Sequence, residues 1–138
     1  LLAGATKVEV FRVSDEKPAE KDKTVAGYRI TSTGQDQDEK FAARLAAVML
    51  NEKTYEWKGA KGCAFLPGVA FRVWKGEESV VIVICFFCDT VRIIALDKTG
   101  KAGESAWGET DPGRAALLRL AKAALPDDKE IQMLEEKP

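Results

Sequence analysis

A chain of 138 residues, 46% of them hydrophobic, is the size of one domain and carries enough apolar side chains for a sizeable core. Its 21 basic and 22 acidic residues give a formal net charge of -1, which offers no general attraction for nucleic acid or an anionic membrane. Histidine is absent, which removes Ser-His-Asp and Cys-His nucleophile pairs and every His-containing zinc site, and no apolar run reaches the ~18 residues that a transmembrane helix needs.

Leu1-Leu2-Ala3-Gly4-Ala5 looks like the tail end of a signal peptide, and Leu2-Ala3-Gly4 resembles part of a bacterial lipobox, with Ala5 where the lipidated cysteine would stand. Residues 1–6 are therefore read as a flexible N-terminal remnant, with an exported precursor as the functional alternative. Residues 7–13 alternate as a first strand, Val8 and Val10 on one face, Phe11 and Val13 on the other. A charged loop over 14–23 leads to a second strand near 24–33, in which Tyr28 and Ile30 share a face, and the two strands make a hairpin. Asp36 with Glu39 fits a capping box and predicts a helix to about Asn51, with an apolar stripe of Phe41, Leu45, Val48 and Met49 and slim flanks of alanine.

Residues 54–57 and 63–66 read as short extended pieces separated by a turn or bulge at 58–62, and Pro67-Gly68 is a strong turn signal. Residues 69–75 alternate cleanly, with Val69, Phe71 and Val73 toward the core and Ala70, Arg72 and Trp74 on the other side. Residues 80–88 form the most apolar stretch, rich in β-branched side chains and apolar on both faces. Such a strand belongs in the middle of a sheet, covered on both sides; a homodimer is one way to cover the second face. Asp89-Thr90 is read as a turn, with one long strand bulged near Asp89 as the alternative, 91–96 as a strand pairing back, and 97–112 as a long loop pinned by Trp107. Asp111-Pro112 predicts a helix start. Leu117, Leu118, Leu120, Ala121 and Ala124 then form one face, Pro126 ends the helix, Ile131 and Leu134 touch the body, and 135–138 is a loose tail.

With the two pieces before Pro67 not counted as separate strands, the order is β-β-α-β-β-β-β-α. That describes one α+β domain over 7–134, a mainly antiparallel sheet with two helices packed on it. If both helices lie on one face, the other face of the central strand needs a second cover.

Three features invite chemistry. Cys63, Cys85 and Cys88 are the only cysteines, and the last two have C-x-x-C spacing. The pair lies at a strand end rather than at a helix start, which argues against a thioredoxin-type dithiol. Three thiolates with Asp89 as a fourth ligand would make a zinc site, although a second C-x-x-C pair is missing. An oxidising compartment would favour a disulfide instead. Residues three apart on a straight strand face opposite ways, so Cys85 and Cys88 can bond only across a bend, and Cys63 with either is geometrically easier. Buried free thiols remain the plainest reading. Separately, Trp57, Trp74 and Trp107 with Tyr28 and Tyr55 could line a groove or simply cover the sheet, and the outward pair Arg72 and Trp74 is the nominated contact surface.

The segments Lys61-Gly62-Cys63-Ala64-Phe65-Leu66-Pro67-Gly68, Cys85-Phe86-Phe87-Cys88-Asp89 and Leu125-Pro126-Asp127-Asp128-Lys129-Glu130-Ile131 resemble a family of small uncharacterised bacterial proteins, many of them exported or lipid-anchored. The resemblance implies no activity. It implies a bacterial, exported or periplasmic origin, membrane-anchored where the precursor N-terminus is lipidated, and three cysteines that belong together. The reading that results is a non-catalytic binding or interaction domain for an unidentified protein or small ligand, without a cofactor. The alternative is a thiol-dependent zinc-binding or redox protein using Cys63, Cys85 and Cys88.

Overall fold

The computed structural model describes residues 2–57 and 63–136; the turn or bulge expected at 58–62 and the last two residues of the tail lie outside them. The elements are β1 (Lys7–Ser14), β2 (Thr24–Val25), β3 (Tyr28–Thr33), α1 (Glu39–Met49), a 3-10 turn at Glu52–Thr54, β4 (Val69–Lys75), β5 (Glu78–Cys85), β6 (Thr90–Leu96), β7 (Ala102–Glu109), α2 (Arg114–Ala124) and a short α3 (Lys129–Met133). The seven strands form one sheet in the order β2-β3-β1-β4-β5-β6-β7, every pairing antiparallel. The fold is α+β and mainly sheet, as the apolar patterning predicts.

β5 sits inside this sheet and is buried from Ser79 to Cys85. Its even positions, Val80, Ile82 and Ile84, face α1 and α2, where they meet Phe71 of β4, Phe41 and Leu45 of α1, and Leu117, Leu118 and Ala121 of α2. Each such side chain withdrawn from water contributes on the order of 1.5–3 kcal/mol. Its odd positions, Val81 and Val83, join Phe11, Val13, Val25, Ala70, Ile94 and Leu96 in a second core. Both helices therefore lie on one face, and the sheet itself supplies the other cover. It curls until Arg92 of β6 reaches β3, donating from Nη1 to Tyr28 Oη at 3.0 Å across three intervening strands of the sheet order. Phe65 packs against this second core from the segment before β4. The apolar second face of β5 is thus covered within one chain.

Several boundaries differ from expectation, each for a local reason. Residue 37 is still extended, because Gln37 exchanges two backbone hydrogen bonds with Val8 at 2.8 and 3.1 Å. The cap of α1 is therefore Asp38, whose carboxylate accepts the Phe41 N–H at 3.1 Å, rather than Asp36. The second strand is split by a tight Ala26-Gly27 turn in which both residues have positive φ, the twist that suits a two-residue hairpin. Residues 54–57 are not a strand. The strand that completes the set of four after α1 is β7, formed by residues expected to be loop. α2 begins at Arg114 with Gly113 as its cap, because Asp111, Pro112 and Gly113 form a turn first.

Described residues near both ends take part in the fold. Ala5 is buried and Thr6 N–H donates to Trp74 O at 2.9 Å, within the stretch set aside as an extension. In the tail, Glu135 O accepts from Arg114 Nε at 2.9 Å and Glu136 pairs with Arg119 at 2.7 Å.

Candidate functional site

The bend between Cys85 and Cys88 decides the cysteine chemistry. β5 ends at Cys85, which pairs with Thr90 of β6, so Phe86, Phe87, Cys88 and Asp89 form the connecting turn. Asp89 has φ +51°, a left-handed conformation that costs most side chains free energy. It is held there by Arg114, a largely buried guanidinium whose Nη1 donates to Asp89 Oδ1 at 2.7 Å and to Phe86 O at 2.5 Å. The turn aims Cys88 at the segment before β4, where it forms a disulfide with Cys63, Cα to Cα 6.1 Å. Cys85 is a free, buried thiol. Two of the three sulfurs are bonded to each other, so as they stand they do not offer three thiolates to zinc. No group of three or more Cys, Asp or Glu among the described residues is placed to hold a metal ion.

The disulfide ties residues 63–68 across the end of the curled sheet, and this fixes Phe65. Its ring meets Trp107 of β7 edge-on, centroids 4.9 Å apart at 87°, and meets Tyr28 at 6.4 Å. From the opposite side, residues 55–57 run along the end of β7, with Glu56 N–H donating to Glu109 O at 2.9 Å. Tyr55 donates from its hydroxyl to Met49 O at 2.6 Å, and its ring lies over the β7 backbone at Gly108, where an added Cβ would sit 3.1 Å from two ring carbons. Burial pushes the Tyr55 phenol pKa above its ordinary value, which keeps the hydroxyl a donor. Trp57 is fixed by its Nε1–H to Glu52 O at 3.0 Å and packs 5.5 Å from the Tyr55 ring.

Between these two walls lies a cleft of about 520 Å³ at the edge of the sheet, lined by Tyr55, Trp57, Phe65 and Trp107, with Glu56 and Glu109 beside them and Thr90 and Ile93 beneath. Trp57 and Trp107 are 74% and 59% exposed although both are held in place. Of the five aromatic residues considered as groove lining, the structure brings together Tyr55, Trp57 and Trp107. Phe65, which completes the set, was missed because its place depends on a disulfide that spans 25 residues.

Arg72 and Trp74 lie elsewhere, on β4 beside β1 and β5. The Arg72 guanidinium stacks 4.1 Å above the Trp74 ring and donates to Ser79 Oγ at 3.1 Å, while Trp74 Nε1 donates to Glu9 Oε1 at 2.5 Å. Both are half-buried and engaged with neighbouring strands. The segments that carry the family resemblance also meet: Leu66, Pro67, Gly68, Phe86, Phe87, Asp89, Glu130 and Ile131 share a second hollow with the guanidinium groups of Arg12 and Arg114. Those two guanidiniums are bound to Asp128, Glu130 and Asp89 within the chain. Comparison with family models, curated proteins and solved structures gave no match to this chain.

Proposed function

We propose that this chain is a non-catalytic binding domain that acts outside the cytoplasm and recognises a ring-bearing small ligand in the cleft formed by Tyr55, Trp57, Phe65 and Trp107. The observation that carries the reading is the pair of exposed indoles. Leaving so much of two tryptophans in water forgoes burial free energy, yet hydrogen bonds and ring contacts hold both at the mouth of one cleft. The size of the cleft and its mainly aromatic lining suit a small ligand. The disulfide suits an oxidising compartment, and no helix among the described residues is long and apolar enough to cross a membrane.

The test is a two-dimensional NMR titration with cellohexaose and, separately, with indole as a bare aromatic ring. Shifts are expected to cluster on Tyr55, Trp57, Phe65 and Trp107, and W107A is expected to weaken binding by about tenfold or more, the scale of one aromatic contact. Shifts centred on Arg72 and Trp74 would move the site to that surface, and no shift at either place would overturn the reading.

A further inference from the structure

Cys85 is fully buried at the end of β5, and its sulfur accepts the backbone N–H of Cys88 at 3.4 Å. The free thiol is therefore in contact with the backbone of the residue that carries one half of the Cys63–Cys88 disulfide. The turn over Phe86 to Asp89 supplies the bend that a C-x-x-C pair needs before its two sulfurs can face each other. Cys63, the other half of the bond, is exposed and lines the aromatic cleft. Nucleophile, disulfide and leaving group are therefore all present in one chain.

We propose that Cys85 is the nucleophile of an intramolecular thiol–disulfide exchange. When the β5–β6 turn opens locally, the Cys85 thiol gives its proton to the water that enters, and its sulfur attacks the Cys88 sulfur. The Cys85–Cys88 bond forms as the Cys63–Cys88 bond breaks, and the electron pair leaves on the Cys63 sulfur, which takes a proton from solvent. One disulfide is exchanged for another, so no oxidant or reductant is consumed. Attack falls on Cys88 because the hydrogen-bonded turn holds Cys85 against that residue, while Cys63 belongs to a separate segment. The exchanged isomer loses the cross-link between residues 63–68 and the β5–β6 turn, and with it the tether that holds Phe65 against Trp107. That consequence for the cleft rests on the binding reading above; the exchange itself does not.

The experiment uses the oxidised full chain in native buffer without reductant. Excess N-ethylmaleimide is added over a time course at pH 7 and pH 8, and the protein is then digested in acid without reduction and mapped by mass spectrometry. The maleimide is expected on Cys63, accompanied by a Cys85–Cys88 linked peptide. Its rate should be higher at pH 8 than at pH 7, because the thiolate is the nucleophile. C85A is expected to abolish the labelling of Cys63, and the wild-type map stands alone should that variant fail to fold. Label on Cys85 with Cys63–Cys88 intact, label on Cys88, or no native labelling over a day when denaturant exposes one reactive thiol would each overturn the proposal. None of these outcomes depends on whether the cleft binds a ligand.

Discussion

Gly113 has φ -91°, a value that any residue adopts, so its place before α2 is a matter of space. A Cβ added there would lie 2.4 Å from Thr54 Cγ2 and 2.9 Å from Thr54 O. Thr54 cannot easily retreat, since it is buried and its hydroxyl donates to Val48 O at 2.6 Å. Overpacking of this kind typically costs about 1–3 kcal/mol, and that loss is expected for G113A as a lower urea midpoint. G103A is the matched control. A Cβ at Gly103, on exposed β7, meets only Ala95 O at 3.5 Å, an ordinary contact, so its stability should stay within about 0.5 kcal/mol of the parent. Because Thr54 immediately precedes Tyr55, G113A should also disturb one wall of the cleft, visible as a change in tryptophan emission.

At the level of elements, a short helix such as α3 draws its stability from its docking and its cap. Asp128 supplies both. Its Oδ1 accepts the Ile131 N–H at 3.0 Å, and its two oxygens accept from Arg12 Nη1 of β1 at 2.9 and 2.8 Å. Burial pushes the Asp128 pKa up, but the Ile131 N–H and the Arg12 guanidinium outweigh it and leave the carboxyl below its ordinary range. The stabilisation is therefore present at and above the unfolded carboxyl pKa of about 3.9 and is lost as pH falls through the lower folded value. D128N, which keeps an oxygen for the cap but loses the charge, is expected to be less stable than the parent at pH 6, with the gap closing toward pH 2. Parallel midpoint curves for the two proteins would show that the ion pair contributes nothing. The same scale shows why some elements were legible and others not. β4 and β5 announce themselves because alternation and β-branching suit a strand at any position. β7 reads Ala-Gly-Glu-Ser-Ala-Trp-Gly-Glu and has no such pattern; it is a strand because β6 lends it a ladder. Its turn was nonetheless written in the chain, since the Asp97 carboxylate gathers the Thr99 and Lys101 N–H groups at 2.8 and 2.9 Å and Gly100 takes φ +85°. The cap at Asp38 was hidden for a different reason: the capping-box spacing to Glu39 favours Asp36, and only the distant strand β1, which holds Gln37 extended, moves the cap to Asp38. The cleft was half legible, its tryptophans visible as residue types but their meeting decided by the curl of the sheet and by Cys63–Cys88.

The whole molecule resolves the question that β5 raises, which is how a strand apolar on both faces stays out of water. A flat sheet with both helices on one side would expose Val81, Val83, Ile94 and Leu96, and a second copy of the chain would be needed to cover them. Here curvature does that work. β1, β2 and β3 bring Phe11, Val13, Val25 and Tyr28 over the second face, and Phe65 packs against it. Among the described residues, the large apolar side chains left in water are Leu50, Trp57, Leu66, Phe87, Trp107 and Met133. Two of them line the aromatic cleft and two line the hollow beside Arg12 and Arg114, so they form small separate patches rather than the continuous apolar area of an obligate dimer, which runs to about 2,000 Å² or more. Light scattering at micromolar concentration is accordingly expected to return the chain mass of 15.1 kDa. A mass near twice that, persisting on dilution, would mean that a further surface is buried between copies. W107A should then be measured next, since loss of the larger species in that variant would place the contact at the cleft.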